Sequence, residues 1–293
     1  MSNYKEIFMR TVELLSNREE NSVMAHFAKN DIPMPSRESL VEIMELLRAV
    51  FFPGYYGESD ITSANIKYYT GAKLDKALFL LTEQIKRGFC FSCNASKNKE
   101  CSLCEIKAKE IAYKFLETVP EIRRMLSKDV VAAYSGDPAA ESYGETIFCY
   151  PGIRALTNYR TAHELHKLGV PILPRIITEI AHSETGIDIH PEAQIGSEFF
   201  MDHGTGIVIG GTSIIGNNVK IYQGVTLGAK SFPLDEHGNP IKGIPRHPVI
   251  EDSVVIYAGA TILGRIVIGK SSVIGGNTWI TESVEPNSKI FYK

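Results

Sequence analysis

The sequence predicts an α+β chain of two parts: an N-terminal α-helical domain over residues 1–184, then a parallel β-helix of hexapeptide repeats over residues 185–293. Three observations carry this expectation. Ile250, Ile256, Ile262, Ile268, Ile274 and Ile280 put one residue type at every sixth position. A helix repeats every 3.6 residues and a strand every two, so neither alone makes six; a short strand plus a tight turn does. Gly196, Gly210, Gly216, Gly228, Gly264, Gly269 and Gly275 recur where such a chain must change direction. Finally, the apolar stripes upstream follow helical spacing and give way to the six-residue period between Ser183 and Ile187.

In chain order, Leu40, Ile43, Met44, Leu47 and Phe51 form a helical stripe behind Ser36, a good N-cap, and Pro53-Gly54 stops it. Leu74, Ala77, Leu78, Leu81 and Ile85 form a second stripe, closed by Lys86-Arg87-Gly88, an ending suited to a helix C-terminus. Further helices are expected at 102–118, 120–134, 153–168 and 172–184. Beyond them the six-residue period runs through Ile189, Ile195, Met201 and Ile207, lapses at Ser213 and resumes at Val219 and Val225. A partner row runs through Ile209, Ile215, Ile221 and Leu227. Between Ala229 and Val249 the period vanishes in a stretch rich in proline and glycine, read as a loop of residues 229–248 thrown out of the prism. Loops on a rigid scaffold are where ligand contacts gather.

The chain of 293 residues carries a net charge of −3, which gives no electrostatic reason to expect nucleic acid. No apolar run is long enough to span a membrane, and Lys5, Glu6 and Arg10 interrupt any signal peptide, so a cytoplasmic protein is expected. Four of five cysteines form Cys90-x2-Cys93-x7-Cys101-x2-Cys104, paired hooks that suit a tetrahedral structural zinc or, without metal, a local helical hairpin. Cys149 reads as a small buried hydrophobe.

Polar residues within the repeats mark chemistry, because each interrupts a stacking row. Asp188 and His203 are fifteen residues apart, close to one coil of eighteen, so they are expected on neighbouring coils within hydrogen-bond reach. A histidine oriented by a carboxylate is the arrangement that takes a proton from a hydroxyl. Arg246 and His247 add two cations suited to gripping a carboxylate.

Asp137-Pro-Ala, Asn158-Tyr-Arg-Thr-Ala-His163, Ile187-Asp-Ile-His-Pro191, Met201-Asp-His-Gly-Thr-Gly-Ile-Val208 and Arg246-His-Pro248, in this order, resemble serine O-acetyltransferase, a hexapeptide-repeat acyltransferase family. The resemblance implies a left-handed coil, an exception to the usual right-handed crossover, packed as a homotrimer with its site between two prisms. It implies His203 as general base with Asp188 orienting it, Asp137 and Asp202 on the ammonium of L-serine, and Arg246 and His247 on its carboxylate. Backbone N–H groups near Ala229 and Ala258 are implied for the thioester of acetyl-CoA, a co-substrate; no cofactor is required for catalysis. The reaction is L-serine plus acetyl-CoA giving O-acetyl-L-serine plus CoA, the first step of cysteine biosynthesis from serine, with L-cysteine expected to inhibit. The helical domain is expected to contribute Asp137 and to pair trimers into hexamers. Gly211 replaces a glutamate common in the family, and the chain ends at Lys293 without an extended tail, so a cysteine synthase complex is not expected. Other readings are acetyl transfer to a sugar or homoserine hydroxyl, a γ-type carbonic anhydrase using histidines such as His190, His203, His237 and His247, and a binding trimer with a dead site.

Overall fold

A computed structural model describes residues 2–17, 33–92 and 98–291, except the side chains of residues 2 and 98–102. Seven helices precede fourteen short strands among the described residues: α1 (Ser2–Ser16), α2 (Arg37–Phe51), α3 (Ile66–Ser92), α4 (Asn98–Gly136), α5 (Tyr143–Cys149), α6 (Pro151–Lys167) and α7 (Leu173–Thr185). Ser36 caps α2 as expected, its hydroxyl accepting the Ser39 N–H. Two helical expectations are corrected, and one burial. Pro120 does not split 102–118 from 120–134 but lies inside the single helix α4. The hydrogen bond it removes is offset by burial on both sides of it, at Phe115, Val119, Ile122 and Leu126. Gly88 does not end α3, which runs on to Ser92; a Cβ there would lie 2.7 Å from Leu173 Cδ1 and 3.0 Å from the Pro171 carbonyl, so this glycine serves a close approach. Helix α5, of seven residues, lacks a stripe long enough to read, and Cys149 at its end is exposed, not buried.

The first coil of the prism is β1 (Asp188–Ile189), β2 (Gln194–Ile195) and β3 (Phe200–Asp202), and the second is β4 (Val208–Ile209), β5 (Ile214–Ile215) and β6 (Lys220–Tyr222). The third is β7 (Thr226–Gly228), β8 (Val249–Ile250) and β9 (Val255–Ile256), and the fourth is β10 (Thr261–Leu263), β11 (Val267–Ile268) and β12 (Val273–Ile274). Strands β13 (Trp279–Ile280) and β14 (Lys289–Ile290) close the fifth. Like strands stack in parallel into three faces, β1-β4-β7-β10-β13, β2-β5-β8-β11 and β3-β6-β9-β12-β14, a left-handed β-helix. The isoleucine ruler points inward, with Ile250, Ile256, Ile262, Ile268 and Ile274 all at most 1% exposed.

The lapse at Ser213 has a structural cause. Five residues, 203–207, separate β3 from β4, whereas three, 223–225, separate β6 from β7. The two extra residues shift the row, so Ile209, not Ile207, stacks on Ile189, while Ile207, Ser213, Val219 and Val225 belong to a second inward row.

The first coil has one edge paired to the second coil and one edge with nothing above it. Helices close that edge. The Phe199 N–H donates to Asp129 Oδ1 at 3.1 Å, and the Ala193 carbonyl accepts the Tyr159 hydroxyl at 2.5 Å. Arg160 donates to the Ile195 and Gly196 carbonyls, and His163 Nδ1 lies 2.8 Å from the Pro191 carbonyl. Arg160 also forms a bidentate pair with Asp129, at 2.6 and 2.8 Å, and the Asp129 side chain is 0% exposed.

Removing one partner from such a pair strands a buried charge, so Asp129→Asn is expected to cost about 3–5 kcal/mol. Tyr159→Phe, which loses one neutral hydrogen bond, is expected to cost about 1 kcal/mol. Urea unfolding followed by circular dichroism checks both; equal, sub-kilocalorie losses would contradict this account of the edge.

Candidate active site

His203 stands in the five-residue turn between β3 and β4. Its φ is 56°, and Gly204 follows at 87°. A non-glycine residue in this region costs about 1–2 kcal/mol, and here the conformation sends the imidazole outward, 73% exposed. A Cβ on Gly204 would come 2.5 Å from Ile187 Cδ1, so the turn lies tight against the start of the prism.

Asp137 arrives from the link after α4. Its Oδ2 accepts the Tyr150 hydroxyl at 2.5 Å and its Oδ1 accepts the Ala139 N–H at 2.8 Å. These bonds, with Lys220 and His203 nearby, hold its carboxyl below the usual range, while burial and Asp137 push the Tyr150 phenol up. Lys220 Nζ fixes the link by donating to the Gly136 carbonyl at 2.5 Å, its charge lying over the rings of Phe200 and Tyr222. Asp202, at the end of β3, lies near enough to raise Tyr150 further. Asp137, Asp202 and His203 thus share one corner.

Arg246 and His247 stand at the next corner, where Gly210, Gly211 and Thr212 turn from β4 to β5. The Arg246 and His247 N–H groups donate to Thr212 Oγ1 at 2.9 and 3.1 Å. Arg265 Nη1 donates to the Thr212 and His247 carbonyls at 2.6 and 3.0 Å. The Arg246 guanidinium lies 5.7 Å over the Phe232 ring, and its buried Nε has no partner among the described residues. His247 departs from the expected cation. It is 7% exposed, and burial, with Arg246 and His190, pushes its pKa down to about 4, so the imidazole is neutral at neutral pH.

Among the described residues no hydrogen bond or ion pair joins the two corners; β4 lies between them. The expected Ala229 and Ala258 divide in the same way. Ala258 stacks over the His203 corner through Gly259 N–H to the Gln223 carbonyl and Gly224 N–H to the Thr205 carbonyl, whereas Ala229 follows β7 towards the His247 corner. Two cavities border neither His203 nor Arg246: about 580 Å³ between α3 and α4, and about 790 Å³ beside His163 and Glu192.

No hydrogen bond or ion pair joins Asp188 and His203, which pair instead with other residues. His203 precedes the point, Val208, where the chain passes over Asp188, so fifteen residues fall short of a full coil. Asp188 Oδ1 faces Arg175 Nη1 at 3.7 Å, and His203 Nε2 lies 3.9 Å from Asp202 Oδ1. Arg175 also pairs with Glu179 and fills the cluster of Glu179, His182 and Asp188, the one group of potential metal ligands among the described residues. Among the described residues of one chain no three histidines lie at metal-binding distance of one another. Of the cysteine hooks, Cys93 and the Cys101 side chain lie outside the described residues; Cys90 on α3 and Cys104 on α4 are both half-buried. Tyr150, Thr212, Lys220 and Arg265 went unread in the sequence, because each acts through a partner more than ten residues away.

No family model matches the chain. It is 52% identical over 282 residues to a plasmid-encoded serine acetyltransferase of Synechococcus elongatus, covering 95% of this chain and 88% of that one. Its structure is similar to that of Entamoeba histolytica serine acetyltransferase 1 in complex with L-cysteine, with a TM-score of 0.74, 36% identity and coverage of 93% of this chain and 94% of that one. A serine acetyltransferase in complex with CoA is similar at a TM-score of 0.55 and 26% identity, covering 87% of this chain and 96% of that one.

His163, His190 and His247 all have pKa values lowered by burial. Each therefore contributes stability that is full above about pH 6.5 and is lost as the pH falls, for His247 towards pH 4. His247→Gln is expected to lose less melting temperature than wild type between pH 6.5 and 4.5. Parallel melting curves over that window would contradict a buried neutral imidazole.

Proposed function

The chain belongs to the serine acetyltransferase family, and from that premise we propose that its active site is composite, the His203 corner of one subunit facing the His247 corner of the next. The reaction is acetyl transfer from acetyl-CoA to the hydroxyl of L-serine, giving O-acetyl-L-serine and CoA. The observation that carries the composite reading is the division of opposite charges: Asp137 and Asp202 stand on one corner and Arg246 on the other. A zwitterion needs both sets, and a threefold ring of prisms brings corner to corner three times.

In this arrangement Asp137 and Asp202 receive the serine ammonium, and Arg246 and His247 receive its carboxylate. His203 takes the hydroxyl proton as the alkoxide attacks the thioester carbonyl, then returns it to the departing CoA sulfur. Asp188 turns from Arg175 to orient the imidazole. Backbone N–H groups at Ala258 of one subunit and Ala229 of the next bind the thioester end, so acetyl-CoA lies along the groove between prisms. No acyl-enzyme forms and no cofactor is needed. L-cysteine carries both charged groups of serine and competes with it. A sugar acceptor would leave the opposed charges without use. Among the described residues no helix is long and apolar enough to cross a membrane, which fits a cytoplasmic enzyme of cysteine biosynthesis. The helical half, with exposed Phe79 and Tyr113, supplies the surface that pairs trimers.

His203→Ala is expected to lower kcat by about 10²–10⁴, the usual range for a lost general base, and Asp188→Asn by less. Steady-state assays over serine and acetyl-CoA measure both. Near-normal turnover in His203→Ala would overturn the assignment.

A further inference from the structure

His247 Nδ1 lies 3.1 Å from the Thr212 N–H and 2.8 Å from Thr212 Oγ1. That hydroxyl oxygen already accepts the N–H groups of Arg246 and His247, so its own proton is the one directed at Nδ1. An imidazole nitrogen facing two donors carries no proton. The single proton of the neutral ring therefore sits on Nε2, where no described residue accepts it.

The ring is also held in place. A Cβ on Gly210 would come within 2.1 Å of His247 Cδ2 and 2.2 Å of Nε2, so the imidazole occupies the space that any side chain at 210 would need. Gly210 has no left-handed φ to justify glycine otherwise. The charged and titratable groups facing the ring are Arg246, His190, Arg265 and Glu192. Three of them are basic and resist a second proton.

We propose that Thr212 is a positioning residue that locks His247 in its Nε2–H tautomer, so that a neutral donor beside the Arg246 cation reads the acceptor's carboxylate. This rests on the assignment of His247 to the carboxylate. The alternative tautomer would turn a lone pair towards the anion and repel it. Acting through His247, Thr212 thus decides whether that ring attracts or rejects the amino acid.

The test uses full-length protein labelled with 15N-histidine, with the His247 signals assigned by their loss in His247→Gln, alongside kinetics of Thr212→Val, Thr212→Ser and His247→Ala. Wild type and Thr212→Ser are expected to show a protonated Nε2 and a bare Nδ1. Thr212→Val keeps the backbone N–H on Nδ1 but loses the hydroxyl donor, so it is expected to populate the Nδ1–H form measurably and to raise the serine KM in proportion to the Nε2–H fraction lost, about twofold when the two tautomers are equal. Its unchanged kcat and acetyl-CoA KM report an intact fold. A raised serine KM in His247→Ala, with neither KM nor tautomer moved in Thr212→Val, overturns the lock and leaves the carboxylate assignment standing. An unchanged serine KM in His247→Ala overturns both.

Discussion

A stack of β-coils cannot begin without a bare edge, because alternate N–H and C=O groups of the first coil point away from the second. Left in an apolar setting, each such group costs on the order of 1–3 kcal/mol. The chain meets that constraint with side chains, and the solution fixes much else. Tyr159, Arg160 and His163 lie on one stretch of α6, and Asp129 completes the set from α4. Because these four residues reach specific groups on the edge, they allow the helices one position on the prism. Gly152 on α6 can then approach the Met201 carbonyl, where a Cβ would sit 2.8 Å away. The end of α4 comes to Lys220, and the link beyond it delivers Asp137 beside His203.

The same geometry underlies the proposal that one chain holds half a site at each of two corners. Strands of a face stack along the prism axis, so residues at a corner meet their counterparts above and below, not those across the face. The two-residue expansion at 203–207 gives one corner a projecting histidine, and the long excursion before β8 gives the next corner Arg246 and His247. That excursion is pinned at its end through Thr212 and Arg265, though residues 230–243 are exposed along their length. Placement of Arg246 and His247 therefore depends on the turn at 210–212, where two consecutive glycines clear space for His247 on one side and for His190 and Glu192 on the other. At Gly211 the Glu192 carboxylate from the neighbouring coil lies 2.9 Å from the Cβ position.

Much of this was legible in the sequence, for identifiable reasons. Inward isoleucines on a rigid repeat must recur in register, so the coil could be read from Ile250 to Ile280 without knowing a single contact. The Asp202-His203 dipeptide was visible because polar residues interrupt rows that are otherwise apolar, and Arg246-His247 because two side chains suited to a carboxylate stand in the loop where the period fails. The continuity of α4 through Pro120 was not legible, since the burial that offsets the lost hydrogen bond comes from α2 and α3. Nor was the neutrality of His247, which depends on how deeply the returning end of the loop is buried. Asn158-Tyr-Arg-Thr-Ala-His163 drew attention as part of a motif, yet its visible work is structural, closing the prism's edge. Tyr150 gave no signal at all, because its role exists only once α5 and α6 bring it to Asp137.

The claim that the site forms between chains, not within one, has a direct measurement. His203→Ala chains and Arg246→Ala/His247→Ala chains are each expected to be nearly inactive alone. After unfolding and refolding the two together in equal amounts, mixed rings contain an interface where an intact His203 corner meets an intact His247 corner. Random assortment in a ring of three should restore roughly a quarter of wild-type activity. A mixture no more active than its separate components would contradict the composite site.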